Sequence, residues 1–321
     1  MSLRALSIVF AVLSLQFLAS TAQAQEPESK PATKPAAKKE DKKADVKKDD
    51  KKADDKKEDD KKEDDKKKGA KKTDEKPMHR QIGEELASIK EVAAFLKTLN
   101  KSASELIQGR DPSAAFPTME VEGWGKERHI ELWKTLKAAG AHSVSLFALE
   151  VRLDMGEKGK AGSRTNVVLL FEKDRVFIAP SSVYSEEENF VPRGSLAKEI
   201  NKEFVGIGIL AQVLVKKAKS CKRSKNLPFM RAEDFELFRA MSNRAVTKEK
   251  WEKSLKRMRT SQSKLYIQLK AVKEANLFVD VDDAIFKVLN KDGKFIGQLG
   301  VDFDLDKKGS SIQFKKYRAK N

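Results

Sequence analysis

The sequence predicts an α+β fold: an antiparallel sheet of about six strands in two groups, with several amphipathic helices, preceded by a disordered charged segment. Three observations carry this expectation. Strand and helix periodicities come in blocks, without the β-α-β alternation of a parallel sheet. Strands within a block are separated by turns short enough for hairpins. Residues 25–77 hold no aromatic residue and one large aliphatic, Val46. Such a stretch cannot bury enough apolar surface to offset the entropy of ordering.

The chain has 321 residues and a formal net charge of +17. Residues 1–24 have the form of a secretory signal peptide: Arg4 supplies a positive start, Ala5–Leu18 an apolar run, and Ala22-Gln23-Ala24 a small-x-small site, so cleavage is expected after Ala24. The run falls short of the ~18 residues that cross a bilayer comfortably. Residues 25–77 read as a low-complexity polyampholyte spacer. Its Lys38–Lys68 stretch holds 15 lysines against 13 acids, whereas residues 77–321 hold 45 Lys/Arg against 32 Asp/Glu. The repeated Lys and Asp pairs cancel one another within a Debye length of ~8–10 Å. The positive field therefore belongs to the domain expected over 78–321.

That domain opens on a helical stripe, Ile82, Leu86, Ile89, Ala93 and Leu96, ended by Gly109, Pro112 and Pro117. A second helix is expected over Gly125–Gly140, with Ile130, Trp133 and Leu136 inward and Leu132 a further candidate. Strands follow at 143–153, 165–172 and 175–180, the last two joined by Lys173-Asp174. The glycine-rich 154–164 loop lacks Gly-Lys-Ser/Thr and a following helix, so it reads as a hairpin loop and not a phosphate loop.

Helices return at about Ser195–Ala218, with Ile200, Phe204, Ile207, Ala211 and Leu214 in stripe, and briefly at Ala232–Met241. Thr247 is the expected N-cap of a long helix reaching about Asn276. Its seam is Trp251, Leu255, Met258, Leu265, Leu269 and Val272, with Gln262 at the one polar heptad position. A meander closes the chain at 277–290, 294–305 and 311–318, with Asp292-Gly293 as its clearest turn. The element order fits one sheet built from both ends, or two subdomains divided near Val191.

No catalytic constellation stands out. The three histidines, His79, His129 and His142, lack the i, i+4 spacing of a helical metal pair, and no Gly-x-Ser-x-Gly elbow occurs. Asp302, Asp304 and Asp306 alternate like a calcium loop, but Lys307 and Gln313 stand where glycine and glutamate are needed. Asp280, Asp282 and Asp283 form a second acidic group, which strand pairing can either gather with the first or leave wet. No metal and no cofactor is expected. Cys221 is the single cysteine, so no internal disulfide forms. The cations around it are expected to depress its thiol pKa.

The most informative cluster is basic: Lys216, Lys217, Lys219, Lys222, Arg223 and Lys225 carry six charges in ten residues with no acid among them. It ends a helix, where cations also suit the dipole. Lys256, Arg257, Arg259, Lys264, Lys270 and Lys273 add to it from the long helix, and Lys315, Lys316, Arg318 and Lys320 from the C-terminus. An exported basic domain with such a face is expected to meet lipid headgroups, an anionic envelope polymer or a protein partner, with peripheral membrane contact. Intracellular nucleic acid is excluded by export. The alternatives are a secreted hydrolase with a carboxylate site and an envelope subunit that oligomerises through a helical seam. The sequence leaves oligomeric state open.

Overall fold

In a computed structural model of the chain, residues 76–157, 162–183, 194–241, 246–306 and 309–320 are described. The expected signal segment and the lysine–aspartate repeat fall outside them, as does the expected boundary near Val191. The helices are α1 (Met78–Ala87), α2 (Lys90–Ile107), α3 (Glu127–Ala138), α4 (Val205–Ser220), α5 (Phe235–Met241) and α6 (Lys248–Ala271). The strands are β1 (Met119–Val121), β2 (Ser143–Met155), β3 (Ser163–Glu172), β4 (Arg175–Val183), β5 (Ser195–Leu196), β6 (Leu277–Leu289), β7 (Phe295–Asp306) and β8 (Gly309–Ala319).

All eight strands belong to one mixed sheet, where about six were expected. The two extra strands are three and two residues long, too short to show an alternation in sequence. Along the sheet the order is β1-β8-β7-β6-β2-β3-β4, with β5 added beside the start of β6. Every pairing is antiparallel except β1 with β8. The β3–β4 hairpin thus joins the C-terminal meander through the long β2–β6 pairing, building one sheet from both ends of the domain.

Both faces are covered in part. On one face α1–α4 and the C-terminal half of α6 bury Leu86, Phe95, Leu136, Phe204 and Leu269 against Leu149, Val151, Val281 and Leu299. On the other, α5 and the N-terminal half of α6 bury Phe238, Trp251, Leu255 and Met258 against Phe147, Val168, Leu170, Phe177 and Ile285. The α6 seam is therefore consumed inside the domain and divided between two cores. Gln262 lies at the change-over, buried, with its amide donating to the Met230 carbonyl at 3.1 Å. Thr247 does cap this helix, accepting from the Lys250 amide at 3.3 Å.

Two helical stripes differ from the expectation. The first is interrupted: Ile89 is extended, with φ −61° and ψ 123°, so α2 starts in a new phase. Its buried face is Val92, Phe95, Leu99 and Leu106, while Ala93 is exposed. In α3, Ile130 is 45% exposed and the buried residues are His129, Leu132 and Leu136. Burial on α3 has chosen a face shifted by one residue, which puts a histidine inside.

Candidate functional site

The predicted basic stretch runs off the end of α4. Lys216, Lys217 and Lys219 lie in or beside its last turn, Lys222 and Arg223 follow, and Lys225 sits in a short 3-10 turn at Ser224–Asn226. Two of the six are tied to the domain itself: Lys217 pairs with Glu85 at 2.6 Å and Lys216 with Glu274 at 3.6 Å. Lys219, Lys222, Arg223 and Lys225 are exposed and have no ion-pair partner among the described residues.

Cys221 lies beneath this stretch, buried, and its carbonyl accepts from the Tyr266 hydroxyl of α6 at 2.6 Å. Burial pushes its thiol up, outweighing the opposite pull of Lys217 and Lys270. The expected depression is therefore reversed, because desolvation of a thiolate costs more than two partly hydrated cations return. That both lysines act on one sulfur also shows that the end of α4 and the C-terminal half of α6 share a region of surface. Of the β8 cations, Lys315 is not free to join them. It is instead paired with Asp302 at 2.6 Å.

That pair belongs to a polar row that sequence reasoning did not assemble. It crosses the sheet beside the smaller core. Ser181 of β4 and Asn166 of β3 donate to the same carboxylate oxygen of Glu150 on β2, at 3.5 and 3.0 Å. Glu150 stands opposite Asp283 of β6, and Asp283 opposite Asp302 of β7. The Asp283 carboxyl hydrogen-bonds to Asp302, whose charge is met by Lys315 of β8. A second row lies alongside, in which Arg152 pairs with Asp280 and Arg164 with Asp154, the latter at 2.9 Å.

A bulge makes the arrangement possible. Residues three apart in a regular strand point to opposite faces. Between Glu150 and Val151 the register shifts, leaving Asp282 as the extra residue of β6. Asp280 and Asp283 consequently face the same side as Arg152 and Glu150. Asp302 is likewise drawn into this row rather than onto a wet face, while Asp304 remains exposed.

The electrostatics follow from burial. Glu150 is 2% exposed and Asp283 6%. Asp283 is pushed up to about 9, first by desolvation, then by its hydrogen bond to Asp302 and by the charges of Asp302, Glu150 and Asp282. Burial also raises Glu150, against the donation from Asn166, and its second oxygen has no hydrogen-bond partner. Asp280 is raised to about 6, again by burial, although Arg152 pulls it down. At neutral pH the row therefore holds a protonated acid, Asp283, hydrogen-bonded to Asp302, which is paired with Lys315. That is the electronic arrangement of a carboxyl pair sharing one proton. No group of three or more acidic, histidine or cysteine side chains among the described residues is arranged to hold a metal ion.

No family model, curated protein or solved structure matches this chain.

Proposed function

We propose that the chain is an exported, non-enzymatic binding protein whose basic domain docks on an anionic envelope component or an acidic protein surface. The end of α4 and the adjoining face of α6 make the contact. The observation that carries this reading is the set of four exposed cations, Lys219, Lys222, Arg223 and Lys225, which no described acid neutralises. Lys216 and Lys217 beside them are, by contrast, paired with Glu274 and Glu85. Lys264 and Lys270 of α6 are exposed as well and extend the field. Ile267, 65% exposed between them, gives the face one apolar contact that a headgroup layer or a protein surface can cover. The polyampholyte segment acts as a solubilising spacer.

Co-sedimentation with vesicles of anionic or neutral lipid, and with isolated envelope polymer, tests the reading across a salt series. Binding to the anionic surface that weakens steeply with salt is expected. Replacing Lys219, Lys222, Arg223 and Lys225 together by glutamine is expected to remove most of it. Equal binding by the variant and the parent overturns the reading.

A second reading, an exported hydrolase, is supported by the proton held between Asp283 and Asp302. It requires turnover of a glycosidic, ester or peptide substrate that Asp302→Asn abolishes. One cavity is lined by Gln313, the cross-strand neighbour of Asp302, and another by Lys287, but Glu150, Asp283 and Asp302 themselves line neither. The binding reading is therefore preferred.

A further inference from the structure

At the β1 edge of the sheet the N-terminus of α3 opens into a cavity of about 380 Å³. Lys126, Arg128 and His129 of α3 and its N-cap line one side. Glu120, Glu122 and Gln313 line the other. Lys126 occupies the N-cap position and its side chain caps nothing. The Glu127 and Arg128 amides have no acceptor among the described residues. Such an end presents partial positive charge and free donors.

His129 supplies the independent observation. It is 4% exposed, and neither ring nitrogen has a hydrogen-bond partner. The Gly123 carbonyl is close enough to favour its protonated form, but it does not meet either nitrogen at hydrogen-bonding geometry. Burial, with help from Arg128, holds the ring below its ordinary pKa. A buried polar group left unpaired costs on the order of 1–3 kcal/mol, so the fold retains a donor that nothing in the domain uses. Trp124 covers the ring edge-on at 5.3 Å. Trp124 sits between Gly123 and Gly125, both at positive φ with open space around their Cβ positions. The backbone on either side of Trp124 is thus open, while its ring packs against the edge of the main core.

We propose that this cavity is a binding site for a small oxyanion, a phosphate or carboxylate group. The anion is held by the free α3 amides, Lys126 and Arg128, and by His129 once the Trp124 loop moves aside. Glu122 does not oppose it fully, because that carboxylate is spent on Ser311 at 2.6 Å and Gln313 at 3.1 Å. Glu120 stays exposed at the rim, placed to accept from a hydroxyl or ammonium on the same small molecule. The site is independent of the docking face at α4.

The three histidines make the test internal. Imidazole resonances of the full chain are titrated with pH in chloride, and then at the same ionic strength in inorganic phosphate and, separately, in acetate. The pKa of His129 is expected to rise saturably in at least one oxyanion, while His79 and His142 do not follow. The Lys126→Gln/Arg128→Gln variant, whose cations have no partner among the described residues, is expected to stay folded by circular dichroism and to lose the response. An unchanged His129 titration in both oxyanions overturns the proposal, as does a response of equal size in the variant or in all three histidines.

Discussion

Asp283 and Asp302 face each other across β6 and β7, and one proton serves both. A cross-strand pair of like charges is destabilising. This pair avoids the penalty by keeping Asp283 neutral and setting Lys315 against Asp302.

The first consequence is a pH-dependent stability. Asp283 keeps its proton in the native sheet up to about 9, whereas an ordinary aspartate releases it near 3.8. Between those values folding takes up a proton, so this group's contribution is full at low pH and is lost as pH rises toward about 9. Above about pH 7 both His79 and His129, lowered by burial, are neutral, and Asp234 and Asp280, near 6, are largely ionised. Glu150 and Cys221, also raised by burial, act in the same direction, so Asp283's share of the remaining slope is the part that its replacement removes. Asp283→Asn keeps a neutral donor toward Asp302 and removes the titration. Thermal midpoints should fall with pH in the parent and fall less steeply in the variant, which should be the more stable at about pH 9. A variant as pH-sensitive as the parent would show that the shared proton is not the cause.

Two glycines of α4 make a prediction opposite to helix propensity. Glycine to alanine in a helix interior ordinarily gains about 0.5–1 kcal/mol. Here a Cβ on Gly208 would lie 1.8 Å from the Ala197 carbonyl oxygen, and one on Gly206 2.3 Å from that of Glu91. Both obstacles are backbone atoms, which cannot rotate away. Gly208→Ala should therefore destabilise by about 1–3 kcal/mol or more, as overpacked cores do. Chemical denaturation measures this, and a neutral or stabilised variant refutes the close approach of α4.

Trp251 anchors the smaller core, 1% exposed and stacked on Phe238 with ring centroids 4.1 Å apart. Trp251→Ala should cost about 3–5 kcal/mol. The loss should fall first on the packing of α5 and the start of α6. Hydrogen exchange across 235–258 should then rise more than exchange in α2. Uniform acceleration would mean that the two cores unfold as one.

Cys221 should behave as a structural thiol. It is buried and its pKa is raised, so a thiol-specific reagent should react slowly with the native chain and rapidly in denaturant. Fast native labelling would mean that the end of α4 opens readily, and would weaken the case for a rigid basic face there.

Much of the fold was legible in the sequence because local patterns report local forces. The β3–β4 hairpin follows from Lys173-Asp174 between two apolar runs, and Gly293 adopts the positive φ of 71° that the Asp292-Gly293 turn requires. The seam of α6 is buried at every position named, including its polar Gln262. Phase errors entered where a chain break or a face choice depends on neighbours. The extended Ile89 reset α2, and α3 turned His129 inward in place of Ile130.

The amino-acid sequence by itself determined the α+β class, the hairpins, the long capped helix and the crowding of cations at 216–225. Each of these rests on periodicity, turn chemistry or charge within a few residues. Only the tertiary structure decided that Lys216 and Lys217 are neutralised by Glu274 and Glu85, since those acids come from α1 and the turn after α6. It also decided that burial outweighs two lysines at Cys221. The polar row from Ser181 to Lys315 draws its residues from six strands and depends on one bulge at Asp282. A shift of a single residue reverses which face a side chain takes, and only the pairing of distant strands sets that register.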